Sequence, residues 1–357
     1  MIVKTTIIVS LLALPLAALE PLIAHIDIDS QYNTTSQLWT WRLIADGVEK
    51  QPELSYMPGR DIVSGPSNPV SARTGERHTR PASSAWDFMG VSAAQNVWIY
   101  TQLNNNYAWL GFYDSQTMFT QQLSLKLVGV DGPIGGDFSL YNSSTAVFMK
   151  TVDGISSADI FPKPLSHSHI NWAFSRKGMW RVRLTISGFI GSGSSQPTAV
   201  SSEVPLYFAI GHRAQWRANY YLHSNVMDEA IAGDSADADG DGMVNLLEYA
   251  FGGNPTIASS VSAEHGGALQ PSVNIVNDGT NQFLEIQFYR RRTGTQPIEA
   301  SYEAQFSSSL VPSDWQAQAV LLPAQTINAN WEKVTVRDNQ PLSVTSKRFA
   351  RVSVSAL

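Results

Sequence analysis

Ser166-His167-Ser-His169-Ile-Asn171-Trp172-Ala-Phe174-Ser-Arg-Lys177-Gly178-Met-Trp180-Arg-Val-Arg-Leu-Thr-Ile186-Ser-Gly188 carries the period of a β-strand twice. It reads as a strand up to Phe174, a turn at Lys177-Gly178 and an alternating strand on the way back. His167 and His169 are two apart, so on a strand both imidazoles project from one face. That spacing lets two rings meet one metal ion or one ligand.

Outward from this stretch the same period recurs. Ala24-His25-Ile26-Asp27-Ile28-Asp29 places Ile26 and Ile28 on one face and His25, Asp27 and Asp29 on the other. Leu38–Ile44, Val97–Thr101, Leu123–Val128 and Asp137–Tyr141 are further strands, separated by Gly, Pro, Asn and Asp clusters. Gly59–Ser84 is a long polar loop punctuated by Pro66, Pro69 and Pro81. Nearer the C-terminus, Phe283–Phe288, Ser301–Phe306, Trp331–Val336 and Arg348–Val354 alternate in turn, with Asn277-Asp278-Gly279 as a turn.

A different pattern stands between the two strand-rich regions. Asp237-Ala-Asp239-Gly-Asp241-Gly242-Met243-Val-Asn245-Leu-Leu-Glu248 has the oxygen spacing of an EF-hand calcium loop. Asp237, Asp239 and Asp241 offer carboxylates, Met243 a carbonyl, Asn245 the position often served through water, and Glu248 a bidentate carboxylate. Gly242 fills the sharp-turn position, and the alternative reading is a solvated acidic turn. Val244–Phe251 is helix-permissive and ends at Gly252-Gly253-Asn254-Pro255, while Val226–Ile231 has room for about two helical turns.

Composition agrees with an exported β protein. The chain has 357 residues, 15% of them charged, a net charge of −6 and no cysteine. Disulfides and thiolate chemistry are excluded, and nucleic acid is not an expected partner. The densest basic cluster, Arg290-Arg291-Arg292, reads as a solvated strand end. Met1–Ala18 has the charged start, apolar run and small residues of a secretory signal peptide, and no membrane span is expected in the mature protein. The expected architecture is all-β: a signal peptide over 1–18, an N-terminal antiparallel β-sandwich over 20–222, a calcium loop and linker helix over 223–256, and a C-terminal antiparallel β-sandwich over 257–357. The mature protein is expected to be secreted or at the cell surface, where a cell-envelope or extracellular component would be its partner.

The His-x-His-x-x-Trp-Ala-Phe-x-x-x-Gly pattern at His167–Gly178 resembles the actinobacterial surface-anchored repeat, the choice-of-anchor M domain. Ala24–Asp27, Trp86–Gly90, Val97–Gln102 and Gly111–Asp114 follow the same order of blocks. Ser-His-Ser-His stands where members often have Gly-His-Val-His, and Thr101 where they have proline. The calcium loop with one short helix resembles dockerin and thrombospondin type 3 loops. The segment from that loop to Arg348-Phe-Ala-Arg-Val352 looks like the C-terminal module of secreted planctomycete and verrucomicrobial proteins. These likenesses imply display or secretion and carry over no catalytic residue.

His25, Asp27, Gln102, His167 and His169 thus form a candidate site for a borderline metal such as zinc. The competing reading is structural hydrogen bonding on a half-exposed sheet. His78, His212, His223 and His265 read as ordinary surface or structural histidines. No nucleophile elbow, phosphate loop or His-Glu-x-x-His occurs. An alternative function is a glycan-active enzyme, for which Asp27 with Asp29 is the candidate pair. A carbohydrate-binding adhesin using Trp39, Trp41, Trp98 and Trp109 is another.

Overall fold

A computed structural model describes residues 18–61, 75–103, 108–191, 196–292, 297–317, 319–342 and 347–357. The signal-peptide expectation falls on residues 1–18 and so, apart from Ala18, lies outside the described residues, as does most of the polar loop after Gly59. The described chain is all-β apart from short helices. No helix among the described residues is long and apolar enough to cross a membrane.

Three sheets share the large core built from residues 22–210. The longest has the order Glu20–Pro21, Ser55–Gly59, Val204–Ile210, Gly178–Ser187, Leu123–Asp131, Ile160–Lys163. Its central strand shows why alternation predicted it: Val182, Leu184 and Ile186 are buried in that core, with Arg181 and Arg183 on the other face. A second sheet is centred on Asn171–Phe174, between Phe138–Ser143 and Asn96–Tyr100. The third has the order Ser168–His169, Trp109–Tyr113, His25–Asn33, Leu38–Ala45, Val48–Lys50.

The strand pairings are mostly antiparallel, as expected. Three pairings are parallel, namely Glu20–Pro21 and Val204–Ile210, each with Ser55–Gly59, and His25–Asn33 with Trp109–Tyr113. The opening stretch also divides where one continuous strand was expected. Ser168–His169 pairs with Trp109–Tyr113, whereas Asn171–Phe174 joins the second sheet. Buried Ile170 is the step between them, so the histidines and the Trp172-Ala173-Phe174 run belong to different sheets.

Beyond residue 240 a separate apolar cluster gathers Leu284, Ile286, Phe288, Phe306, Val334 and Val336. These come from the sheet ordered Ser272–Asn277, Gln282–Arg291, Trp331–Asp338, Ala319–Leu321 and from the pair Ala300–Ser307 with Phe349–Ala356. Asn277-Asp278-Gly279 does form a turn, and Gly279 takes φ 95° there, which only glycine adopts at no cost.

Two helices lie between the clusters. Helix α1, His212–Tyr220, was not foreseen, although buried Ala214 and Ala218 have helical i, i+4 spacing. Val226–Ile231 forms turns, not helix. Helix α2, Asn245–Phe251, ends where expected, at Gly252 in the left-handed region with φ 77°. Tyr249 of α2 receives the edge of Trp216 from α1, and its hydroxyl lies 2.9 Å from His212 Nδ1. Arg291 is buried, contrary to the solvated reading. Its guanidinium donates to the Tyr249 carbonyl at 2.6 Å and to both carboxylate oxygens of Glu264, and it lies 4.5 Å from the Trp331 ring centroid.

Candidate metal centre

The third sheet carries the histidines. On the parallel pair, Asp27 stands opposite Gly111, and on the antiparallel pair His169 stands opposite the same Gly111. The two histidine strands are not neighbours. Instead Trp109–Tyr113 lies between them, so they are two strand spacings apart, about 9–10 Å. Gly111 is what lets their side chains meet. A Cβ there would lie 2.5 Å from His169 Cε1 and 2.9 Å from Asp27 Oδ1. The absent side chain is the floor of the site, and a glycine inside a strand is the sequence mark of such close approach.

Above that floor, four ligand atoms converge. His25 Nε2 is 3.2 Å from the Nε2 of both His167 and His169, and those two are 3.1 Å apart. Asp27 Oδ1 lies 2.9 Å from His167 Nε2 and 3.4 Å from His25 Nε2. All four atoms lie within 4.8 Å of one another. A tetrahedral zinc ion with bonds of about 2.0–2.1 Å places its ligands about 3.3 Å apart. The separations here straddle that value.

Hydrogen bonding alone serves this cluster poorly. His169 Nδ1 is 2.8 Å from the Leu110 carbonyl and must donate to it, which leaves the neutral ring's Nε2 as a bare acceptor. Burial keeps that ring neutral, holding its pKa down to about 4. Five close contacts between four ligand atoms crowd the centre, and a cation there would serve all four lone pairs. The Leu110 contact is the outer-shell support that fixes a ligating imidazole. Trp109 adds to it, stacked on the His169 ring at 3.7 Å and 5°. Gln102 contributes through its main chain: its carbonyl accepts from Trp109 Nε1 at 3.1 Å, and its N–H donates to Asn171. These main-chain contacts place Gln102 beside the site without testing its side chain as a ligand, and Trp109 and Gly111 are the residues that sequence reasoning missed.

Asp29, the other half of the proposed carboxylate pair, faces elsewhere. It is fully buried and held by Arg42 at 2.8 Å and by Ser115. Behind it, Lys163 and Asp114 form a buried ion pair at 2.5 Å. Burial lowers the Lys163 pKa and raises that of Asp114.

The aspartate loop folds on itself as its glycines require, with Gly240 at φ 76° and Gly242 at φ 93°. Asp237 accepts from the N–H groups of Gly240 and Gly242, Asp239 from Asp241, and Asp241 from Met243. One carboxylate oxygen of each aspartate lies within 4.8 Å of the others. Glu248 is 1% exposed, and its Oε2 is buried with no hydrogen-bond partner. Burial, with the charges of Asp239, Asp241 and Asp237 behind it, raises its pKa to about 8. A buried carboxylate facing three others is what a bound dication would relieve. Asn245 departs from the expected role. Its amide donates to the carbonyls of Ile231 and Gly233 and accepts from Tyr221, so it clasps the incoming chain and does not face an ion.

The tryptophans expected of an adhesin are spoken for. Trp98 is buried, Trp39 stacks on Phe119 and donates to the Ala199 carbonyl, and Trp41 packs against the core. No family model matches the chain, and no curated protein matches it.

Proposed function

We propose that this is an exported, non-catalytic surface or secreted protein that holds a zinc-class ion at His25, Asp27, His167 and His169 and calcium at the Asp237–Glu248 loop. The observation that carries the reading is the convergence of three Nε2 atoms and one carboxylate oxygen at 2.9–3.4 Å. Three imidazoles and a carboxylate suit zinc better than the hard cations, which prefer oxygen. Four protein ligands complete a tetrahedron, whereas catalytic zinc keeps one position for water. That supports a holding role over hydrolysis, as does the burial of Asp29 away from Asp27's partners. The calcium role rests on the loop's aspartates and the unpartnered Glu248 oxygen. Export rests on the Met1–Ala18 pattern and the resemblance to surface-anchored and secreted modules, which also point to a cell-envelope or extracellular partner.

Metal analysis of protein purified without chelator, followed by zinc titration, tests the reading. The wild type should carry zinc, and His167→Ala with His169→Ala should weaken binding about a hundredfold or more, because two of four ligands are gone. Equal zinc affinity in the two proteins would overturn it.

A further inference from the structure

The four ligands are not equally supported, and the imbalance has a direction. His169 has its second ring nitrogen on the Leu110 carbonyl and its face on Trp109. His25 is fastened through its backbone, whose N–H donates to Asp46 Oδ1 and whose carbonyl accepts from the Asp46 N–H. Its ring centroid also lies 4.5 Å from that of Trp109. Asp27 sits mid-strand, paired to Ile44 on one side and Gly111 on the other.

His167 has less of this: outside the cluster, its ring neighbour among the described residues is Tyr113, T-shaped at 6.3 Å between centroids. It precedes the Ser168–His169 strand and pairs with no other strand. Its hydrogen bonds among the described residues all run from Nε2 to another member of the cluster. Its side chain is 42% exposed, against 33% for His25 and 15% for Asp27. It closes an exposed run, Leu165-Ser166-His167, between the buried anchor Lys163 and the paired strand.

We infer that His167 is the exchange ligand, the one whose release opens the site so that the ion enters and leaves. This rests on the metal reading above. When the His167 ring swings out, the ion keeps His25, Asp27 and His169, and its fourth position faces solvent, where water or an incoming donor takes the vacated bond. When the ring returns, the incoming donor leaves. One coordinate bond breaks and one forms at each step, and the ion leaves when further donor atoms of the incoming chelator replace His25, Asp27 and His169 in turn. All four ligands contribute to the affinity, and the release of His167 sets the rate.

Zinc transfer to a chromogenic chelator, followed by stopped flow over a range of chelator concentrations, separates these roles. The wild-type rate should level off at high chelator, limited by His167 release. In His167→Ala the fourth position is already open, so transfer should be about tenfold or more faster at low chelator and should stay proportional to its concentration. His25→Ala removes a fixed ligand and keeps the gate, so it should bind more weakly yet still level off. Far-UV circular dichroism checks that each variant is folded, and exposed His167 makes no core contact whose loss would unfold it. A wild-type rate that never levels off, or a His25→Ala profile that turns linear as His167→Ala does, overturns the inference. Wild-type protein that takes up no zinc overturns the metal reading itself, a result distinguishable from either.

Discussion

The two candidate ion sites are built in opposite ways. The histidine centre draws His25, Asp27 and His169 from two strands flanking a third and His167 from the residue before one of them, and His25 meets His167 across 142 positions of chain. The aspartate loop draws its carboxylates from neighbours, and its side chains accept mostly from amides two to five residues away, with one longer contact from the Ser259 N–H to Asp241. Sheet register holds His25, Asp27 and His169 in place before any ion arrives. The second set is mutually repulsive and partly exposed, with one buried carboxylate whose charge is disfavoured until a cation comes. A zinc-class ion would therefore find its site preformed, whereas calcium would organise its own. The difference predicts that zinc changes local chemistry and calcium changes stability.

The sharpest way to separate the two regions is acid. His212 ties α1 to Tyr249 of the helix that carries Glu248, and burial, with the charge of Arg291, lowers its pKa from 6.5 to about 4. Its folded pKa lies below the unfolded one, so the stability it contributes is full above about pH 6.5. It is lost as pH falls from there toward 4, because the unfolded chain takes up the proton first. The loss is on the order of 3 kcal/mol. Denaturant unfolding between pH 7 and pH 4.5 should show a decline that His212→Asn flattens; an unchanged slope in the variant would remove His212 from the account.

Next in size is calcium itself. At a hundredfold excess over its dissociation constant it should stabilise the fold by about 2.7 kcal/mol, and Glu248→Ala should abolish most of that gain. Calorimetry with and without chelator checks this, and identical melting in the two states would count against the loop as an ion site.

The smallest effect probes the preformed centre. Gly111→Ala removes no ligand yet pushes a methyl group into His169 and Asp27, and should weaken zinc binding about tenfold or more with little change in calcium binding. Zinc titration of that variant at wild-type affinity would mean that the floor of the site yields freely.

The contrast also explains what could be read from the chain. The loop's oxygens lie in one line of sequence, so Asp237, Asp239 and Asp241 were legible, and so was the stop of α2 at Gly252. Alternation gave the strands and even the faces of His25, Asp27, His167 and His169. It could not give the strand order, and hence not Trp109–Tyr113 as the intervening strand or Gly111 as the gap beneath the ligands. Period two also runs unbroken across Ile170, so nothing local marked the passage from one sheet to another. Asn245 fits position 9 of a calcium loop and serves instead as a clasp, because Tyr221 and the carbonyls of Ile231 and Gly233 reach it first. Arg291 read as solvated for a related reason: its partners Glu264 and Tyr249 lie 27 and 42 positions away.

The parallel pairing of His25–Asn33 with Trp109–Tyr113 has a consequence for the order of folding. Parallel neighbours cannot be joined by a tight hairpin, so the strand bearing His25 and Asp27 must wait for a partner made more than 70 residues later in the chain. His169 then has to dock on the far side of that partner. Each closure spends loop entropy before any contact rewards it, which makes such pairings slow. The aspartate loop draws its carboxylates from twelve consecutive residues, so if it binds calcium as proposed it would close early. In a chain that emerges unfolded, the calcium loop is then an early event and the histidine centre a late one, so occupancy of the latter by metal would report that the sheet has been completed.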